Sequence, residues 1–111
     1  MGVIEAAEES GRYAIGVDTD QSNLAPAAVL TSMVKRVDLA VYGSVEMLDA
    51  GELGGQVVNL DLAAEGVELG TIVDGVPDEY VQQVDDLRGQ IIAGDIQPWD
   101  VIEQGYPDWF E

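Results

Sequence analysis

Three features of the sequence point to a single α/β domain. Two continuous apolar runs, at residues 13–17 and 29–34, each stop at charged or amide side chains. Residues 37–48 carry an apolar stripe of helical period, and a second such stripe follows Pro77 at residues 80–91. Apolar runs bounded by turn signals fit strands buried in a parallel sheet, and strands interleaved with amphipathic helices define the α/β class. The length of 111 residues suits one modest core, and no linker, repeat or low-complexity segment divides the chain. Residues 1–111 are therefore read as one domain.

Taken in order, residues 2–9 are expected to be helical. Ile4 and Ala7 share a face, Glu5, Glu8 and Glu9 point elsewhere, and Ser10-Gly11 stops the helix. No capping residue precedes this short helix, so further sequence is expected upstream. Residues 13–17 form the first strand candidate and residues 18–27 a loop broken by Asp, Asn, Ser and Pro26. Residues 29–34 form the second strand. The connection between them is barely long enough for a parallel crossover and has no evident helix, so the two strands need not be neighbours.

Val37, Ala40, Val41, Ser44, Val45 and Leu48 recur at helical spacing, with Asp38 in the first turn and Ala50-Gly51 at the end. Val58, Leu60 and Leu62 alternate with Asn59 and Asp61, which predicts a half-buried strand over residues 56–62. Residues 66–72 give a weaker strand signal. Pro77, at a first-turn position with Asp78 and Glu79 behind it, opens the last helix. Its stripe is Tyr80, Val81, Val84, Leu87 and Ile91, and Gly94 closes it. The tail from residue 97 holds both tryptophans, Tyr106 and Phe110, and is expected to be irregular and to pack its rings on the body. Tyr42, Tyr80 and these tail aromatics are read as core or interface packing groups, not as ligand-stacking ones.

Composition narrows the function. The chain carries 22 Asp and Glu against four Lys and Arg, a formal charge of −18, yet is 47% hydrophobic. It is a folded acidic protein, not a disordered acidic tail. Repulsion at this charge density is screened over about 3 Å at molar salt, which suggests adaptation to brine. The same field opposes nucleic acid or an anionic membrane surface as partner. Cysteine and histidine are both absent, which removes thiolate chemistry, the commonest general base and the commonest zinc ligands. No apolar stretch approaches the ~20 residues needed to span a bilayer. The first ten residues lack the basic and apolar regions of a signal peptide. No catalytic residue, metal or cofactor is expected.

The remaining chemistry gathers at the strand ends. Asp18 and Asp20 have the spacing of a carboxylate pair, which is weak evidence for metal or acid–base work in so acidic a chain. Gly66 and Gly70 lack the pattern of a phosphate loop and read as chain turns. Lys35 is the only lysine, and it directly follows an apolar strand. It fits equally a ligand contact or a structural ion pair with a carboxylate such as Asp18.

Residues 13–21 (YAIGVDTDQ) and 29–35 (VLTSMVK), with Ala25-Pro26 between and residues 36–42 after, resemble the basic membrane protein family. These are substrate-binding lipoproteins of ABC importers, typified by purine nucleoside receptors. The match covers most of the chain but only the carboxyl-terminal part of a family member. The resemblance implies a partial type I periplasmic-binding-protein fold, one lobe with three to four strands and flanking helices. It implies a nucleoside or related sugar-containing ligand, contacted by Asp18 and Lys35 with Asp20 and Gln21 beside them. It also implies an ABC permease as partner and a place at the cell surface or plasma membrane for a full-length member. Residues 1–111 are not expected to include the family's signal peptide, lipidated cysteine or first lobe, so weak or no binding by these residues alone is expected. An exposed sheet edge would then favour self-association, and a salt-adapted dimerisation domain without a ligand is the alternative reading.

Overall fold

A computed structural model describes residues 2–98 and 104–109. The element order is α1 (Gly2–Glu9), β1 (Ala14–Asp18), β2 (Val29–Lys35), α2 (Val37–Asp49), β3 (Val67–Leu69) and α3 (Asp78–Ala93). The strands at the two apolar runs and all three helices form within a residue or two of their predicted ends, and the weaker signal at residues 66–72 yields the short β3. Local signals account for this. Gly11, Gly51 and Gly94 take left-handed backbone just past the three helices, where an L side chain would be strained.

The sheet has the order β1-β2-β3, so β1 and β2 are adjacent after all. They run parallel, with Gly16 opposite Ser32 and Asp18 opposite Val34, and a register irregularity lies between Ala14 and Ile15. The connection makes its crossover from tight turns instead of a helix. Leu24 N–H donates to the Gln21 carbonyl, and the Ala28 and Val29 amides both donate to the Ala25 carbonyl. β3 pairs antiparallel with β2 at Met33–Leu69 and Lys35–Val67, so the sheet is mixed. Beyond β3 the pairing continues less regularly, with Gly70 N–H on the Ser32 carbonyl and Val73 N–H on the Leu30 carbonyl.

Three expectations fail. Residues 56–62 are not a strand; Val57 is 89% exposed, and the segment ends in a turn where Asp61 Oδ1 accepts from the Ala64 amide. Alternation describes a strand with one buried face, but among the described residues this segment joins no sheet, and its Asp61 carbonyl instead accepts from the Gly66 amide. β1 is not buried on both faces, since it lies at the sheet edge with Ile15 and Val17 about half exposed. Tyr42, Tyr80, Tyr106 and Trp109 are more than half exposed and are not core; Trp99 and Phe110 lie outside the described residues.

The core is correspondingly small. Ala25, Ala28 and Val29 are buried, with Ile4 of α1 packed against them. No residue of α2 or α3 is buried, and Val37, Val41, Val45 and Leu48 of the α2 stripe each remain more than half exposed. The radius of gyration is 17.3 Å. A compact chain of this length would have about 13 Å. The stripes define faces that want cover, and within the described residues those faces stand open.

Candidate functional site

Parallel pairing brings the carboxyl ends of β1 and β2 to the same edge of the sheet, and with them Asp18 and Lys35. Lys35 Nζ lies 2.7 Å from Asp18 Oδ1, and both side chains are more than half exposed. Asp18 has φ +74°, a left-handed conformation rarely taken by a residue other than glycine. The turn is what ends β1 and directs the chain back over the sheet.

Asp20 and Gln21 then cross one sheet face in the opposite sense to the strands' order. The Val17 amide of β1 donates to Gln21 Oε1 at 3.1 Å. The Gln21 amide donates to the Ser32 hydroxyl of β2 at 3.0 Å. Asp20 Oδ2 accepts from the Thr71 amide at 2.9 Å, beyond the end of β3, and Oδ1 accepts from the Ser22 amide at 3.0 Å. The Thr71 hydroxyl first, then the Ser22 and Thr71 amides, hold the Asp20 carboxyl well below the usual carboxylate range. Gly16 and Gly70 are glycines because the strap passes so close. A Cβ on Gly16 would collide with the Ser32 hydroxyl, and one on Gly70 would sit 3.0 Å from Asp20 Cγ. Thr31 Oγ1 also donates to the Gly70 carbonyl at 3.2 Å. Asp20 and Gln21 thus follow Asp18 within three residues, and both carboxylate oxygens of Asp20 and Oε1 of Gln21 are engaged by this chain.

Arg36 makes a separate centre. Its Nε and Nη2 grip both oxygens of Asp38 at 3.0 and 2.7 Å, while Nη1 donates to Glu68 of β3 at 3.1 Å. Its amide donates to the Gly66 carbonyl. The guanidinium bonds hold the Asp38 carboxyl below its ordinary value, and the carboxylates raise the guanidinium further above neutrality. Arg36 therefore ties the start of α2 to β2 and β3. The only local sign of this fork is an arginine two residues before an aspartate, since Glu68 lies 32 residues away. The strap was equally hidden, since its long bond joins residues 51 apart.

Two open concavities flank the sheet, and neither is lined by Asp18 or Lys35. One, of about 690 Å³, runs between α3 and the sheet and is lined by Met33, Leu69, Ile72, Val84, Leu87 and Ile91 among others. Among the described residues no cluster of three or more potential metal ligands occurs, and no helix is long and apolar enough to cross a membrane.

Comparison with known proteins gives these features a family. The model of the family described as ABC transporter substrate-binding protein PnrA-like matches residues 1–99. Basic membrane protein D of Borreliella burgdorferi is 48% identical over 73 residues, covering 62% of this chain and 21% of that protein. Among solved structures, a transcriptional activator of the comK gene from Bacillus halodurans superposes with a TM-score of 0.78 at 31% identity, over 87% of this chain and 34% of that one. An ABC transporter solute-binding protein from Aeropyrum pernix shares the fold, with a TM-score of 0.66 over 90% of this chain at 24% identity. The chain spans between a fifth and a third of the length of the curated relatives it matches. Its α/β sheet is that of a partial periplasmic-binding-protein fold, and it belongs to the family of PnrA-like ABC transporter substrate-binding proteins.

Proposed function

We propose that this chain forms one wall of a solute site in an ABC-type uptake system, and that the solute is a nucleoside or a related sugar-containing molecule. The observation that carries the reading is the Asp18–Lys35 pair, set side by side where two parallel strands end. Ligands of open α/β sheets bind in the crevice beyond those ends. A carboxylate accepts from sugar hydroxyls and an ammonium donates to their oxygens. The left-handed backbone at Asp18 costs of order 1 kcal/mol, strain of a kind that collects at ligand sites. The site binds without catalysis, and a permease takes delivery at the cell surface.

Small-ligand sites enclose most of the ligand, whereas this pair is open to solvent, so binding by these residues alone is weak. Calorimetry with a purine nucleoside in molar salt tests the reading. Saturable heat that weakens in Lys35→Ala is the expected result. No heat, either from this chain or from one extended by the sequence its relatives carry, overturns it.

A second reading, a salt-adapted module that self-associates, is favoured by the exposed surface. The chain exposes 8661 Å². A folded monomer of this mass is expected to expose about 5,900 Å². The surplus far exceeds the roughly 800 Å² per partner of a standard interface, and so matches an obligate one. A second copy paired along the free edge of β1 would cover part of it. The charge of −18 opposes such pairing until salt screens it. Sedimentation should then find a dimer that grows between about 0.1 and 2 M salt and is lost in Ile15→Lys. A monomer throughout sinks this reading.

A further inference from the structure

We propose that Asp20 and Gln21 are positioning residues: as a strap over the three strands, they fix the left-handed turn at Asp18 and so hold its carboxylate against Lys35. The proposal deepens the reading of Asp18 and Lys35 as the solute-binding pair. Its basis is the connectivity around the turn. Asp18 is followed by one residue, Thr19, and then by the strap, whose ends are anchored on both sides of β2. Gln21 is fastened to β1 and β2 through the Val17 amide and the Ser32 hydroxyl. Asp20 is fastened beyond β3 through the Thr71 amide.

The turn at Asp18 has no glycine to relax it, so its unfavourable φ persists only while its surroundings over-determine it. The strap supplies that constraint immediately downstream. Both of its carboxylate oxygens accept from a backbone amide, so each is already engaged within the chain although the side chain is exposed. The close approach of Gly70 to Asp20 Cγ adds a steric limit to the same anchor, imposed from the far side of the sheet.

The single lysine makes this testable without a ligand. Amine labelling mapped to the Lys35 peptide by mass spectrometry reports only on this pair. Asp18→Asn sets the ceiling, expected as an increase of about two- to five-fold in labelling rate when an exposed ion pair is lost. Asp20→Ala is expected to reach most of that ceiling, with Asp18 itself intact. Asp20→Asn, which keeps a carbonyl acceptor, should recover about half the effect. Gly70→Ala should reproduce Asp20→Ala from the other side, which guards against a variant that merely misfolds. Asp61→Asn, which removes the acceptor of a remote turn, serves as the structural control and should leave Lys35 at its original rate.

Wild-type labelling in both Asp20→Ala and Gly70→Ala, beside an elevated rate in Asp18→Asn, overturns the proposal. An unchanged rate in Asp18→Asn overturns it too, since no pair then exists to position. Failure of nucleoside binding by the unaltered protein would instead strike the receptor reading, and the labelling result would stand apart from it.

Discussion

Lys35 and Arg36 are consecutive, and each lies against carboxylates, yet the two are held in opposite ways. Arg36 is less exposed, donates through Nε, Nη1 and Nη2, and joins residues of two elements, α2 and β3. Lys35 meets Asp18 through a single close contact, in solvent, at the edge of the sheet. A planar fork that grips both oxygens of one carboxylate and reaches a second suits structure; a flexible ammonium with hydrogens to spare suits exchange of partners. The difference teaches that charge pairing alone does not identify a binding group. How many of a group's hydrogen bonds are already committed separates the two.

The widest separation is expected from Lys35→Ala. Solute affinity should fall by about 10- to 100-fold, the scale of one hydrogen bond to a charged group, while stability moves by no more than about 0.5 kcal/mol. Calorimetry paired with thermal melts reads both. Equal losses in the two measurements would erase the distinction from Arg36.

Gly16→Ala strikes the strap beneath the Lys35 side. The added Cβ meets the Ser32 hydroxyl and Gln21, an overpacking expected to cost about 1–3 kcal/mol in urea unfolding. A neutral result would mean that Gln21 swings away freely. Arg36→Lys sharpens the other side of the comparison. It keeps the charge but loses the fork, so the thermal midpoint should still fall, whereas a purely coulombic role predicts no change.

The smallest effect concerns acid. The folded-state values of Asp20 and Asp38 are both depressed, so their contribution is complete above the unfolded carboxylate value of about 3.9 and is lost as pH falls below it. Asp20→Asn and Asp38→Asn should each make stability less steep below about pH 4, with no change in slope near neutrality. Exposure keeps both effects modest. A steeper acid limb in either variant would contradict the assignment.

Legibility in the sequence followed the range of the interactions. The helices were readable because period, breakers and the glycines past their ends all lie within a few residues. The two apolar strands were readable for the same reason, and their polar ends drew attention to Asp18 and Lys35. What depended on distant neighbours was not readable. Alternation at residues 56–62 supplied a strand pattern to a segment that joins no sheet among the described residues. The stripe on α2 indicated a face that wants cover, and could not say whether cover is present. The strap and the Arg36 fork rest on bonds between residues 51 and 32 apart, and the Thr71 partner of Asp20 was invisible from its own segment.

The uncovered surface also governs how the chain comes apart. Fully unfolded, a chain of 11.8 kDa exposes about 17,000 Å², of which this fold hides only about half. The denaturant slope and the heat-capacity change on unfolding both scale with newly exposed area. Both quantities should therefore be small for a protein of 111 residues. Its urea transition is expected to be broad and its stability curve shallow in temperature. Anything that covers the faces of α2 and α3 would sharpen the transition and curve the profile, even before it raised the midpoint.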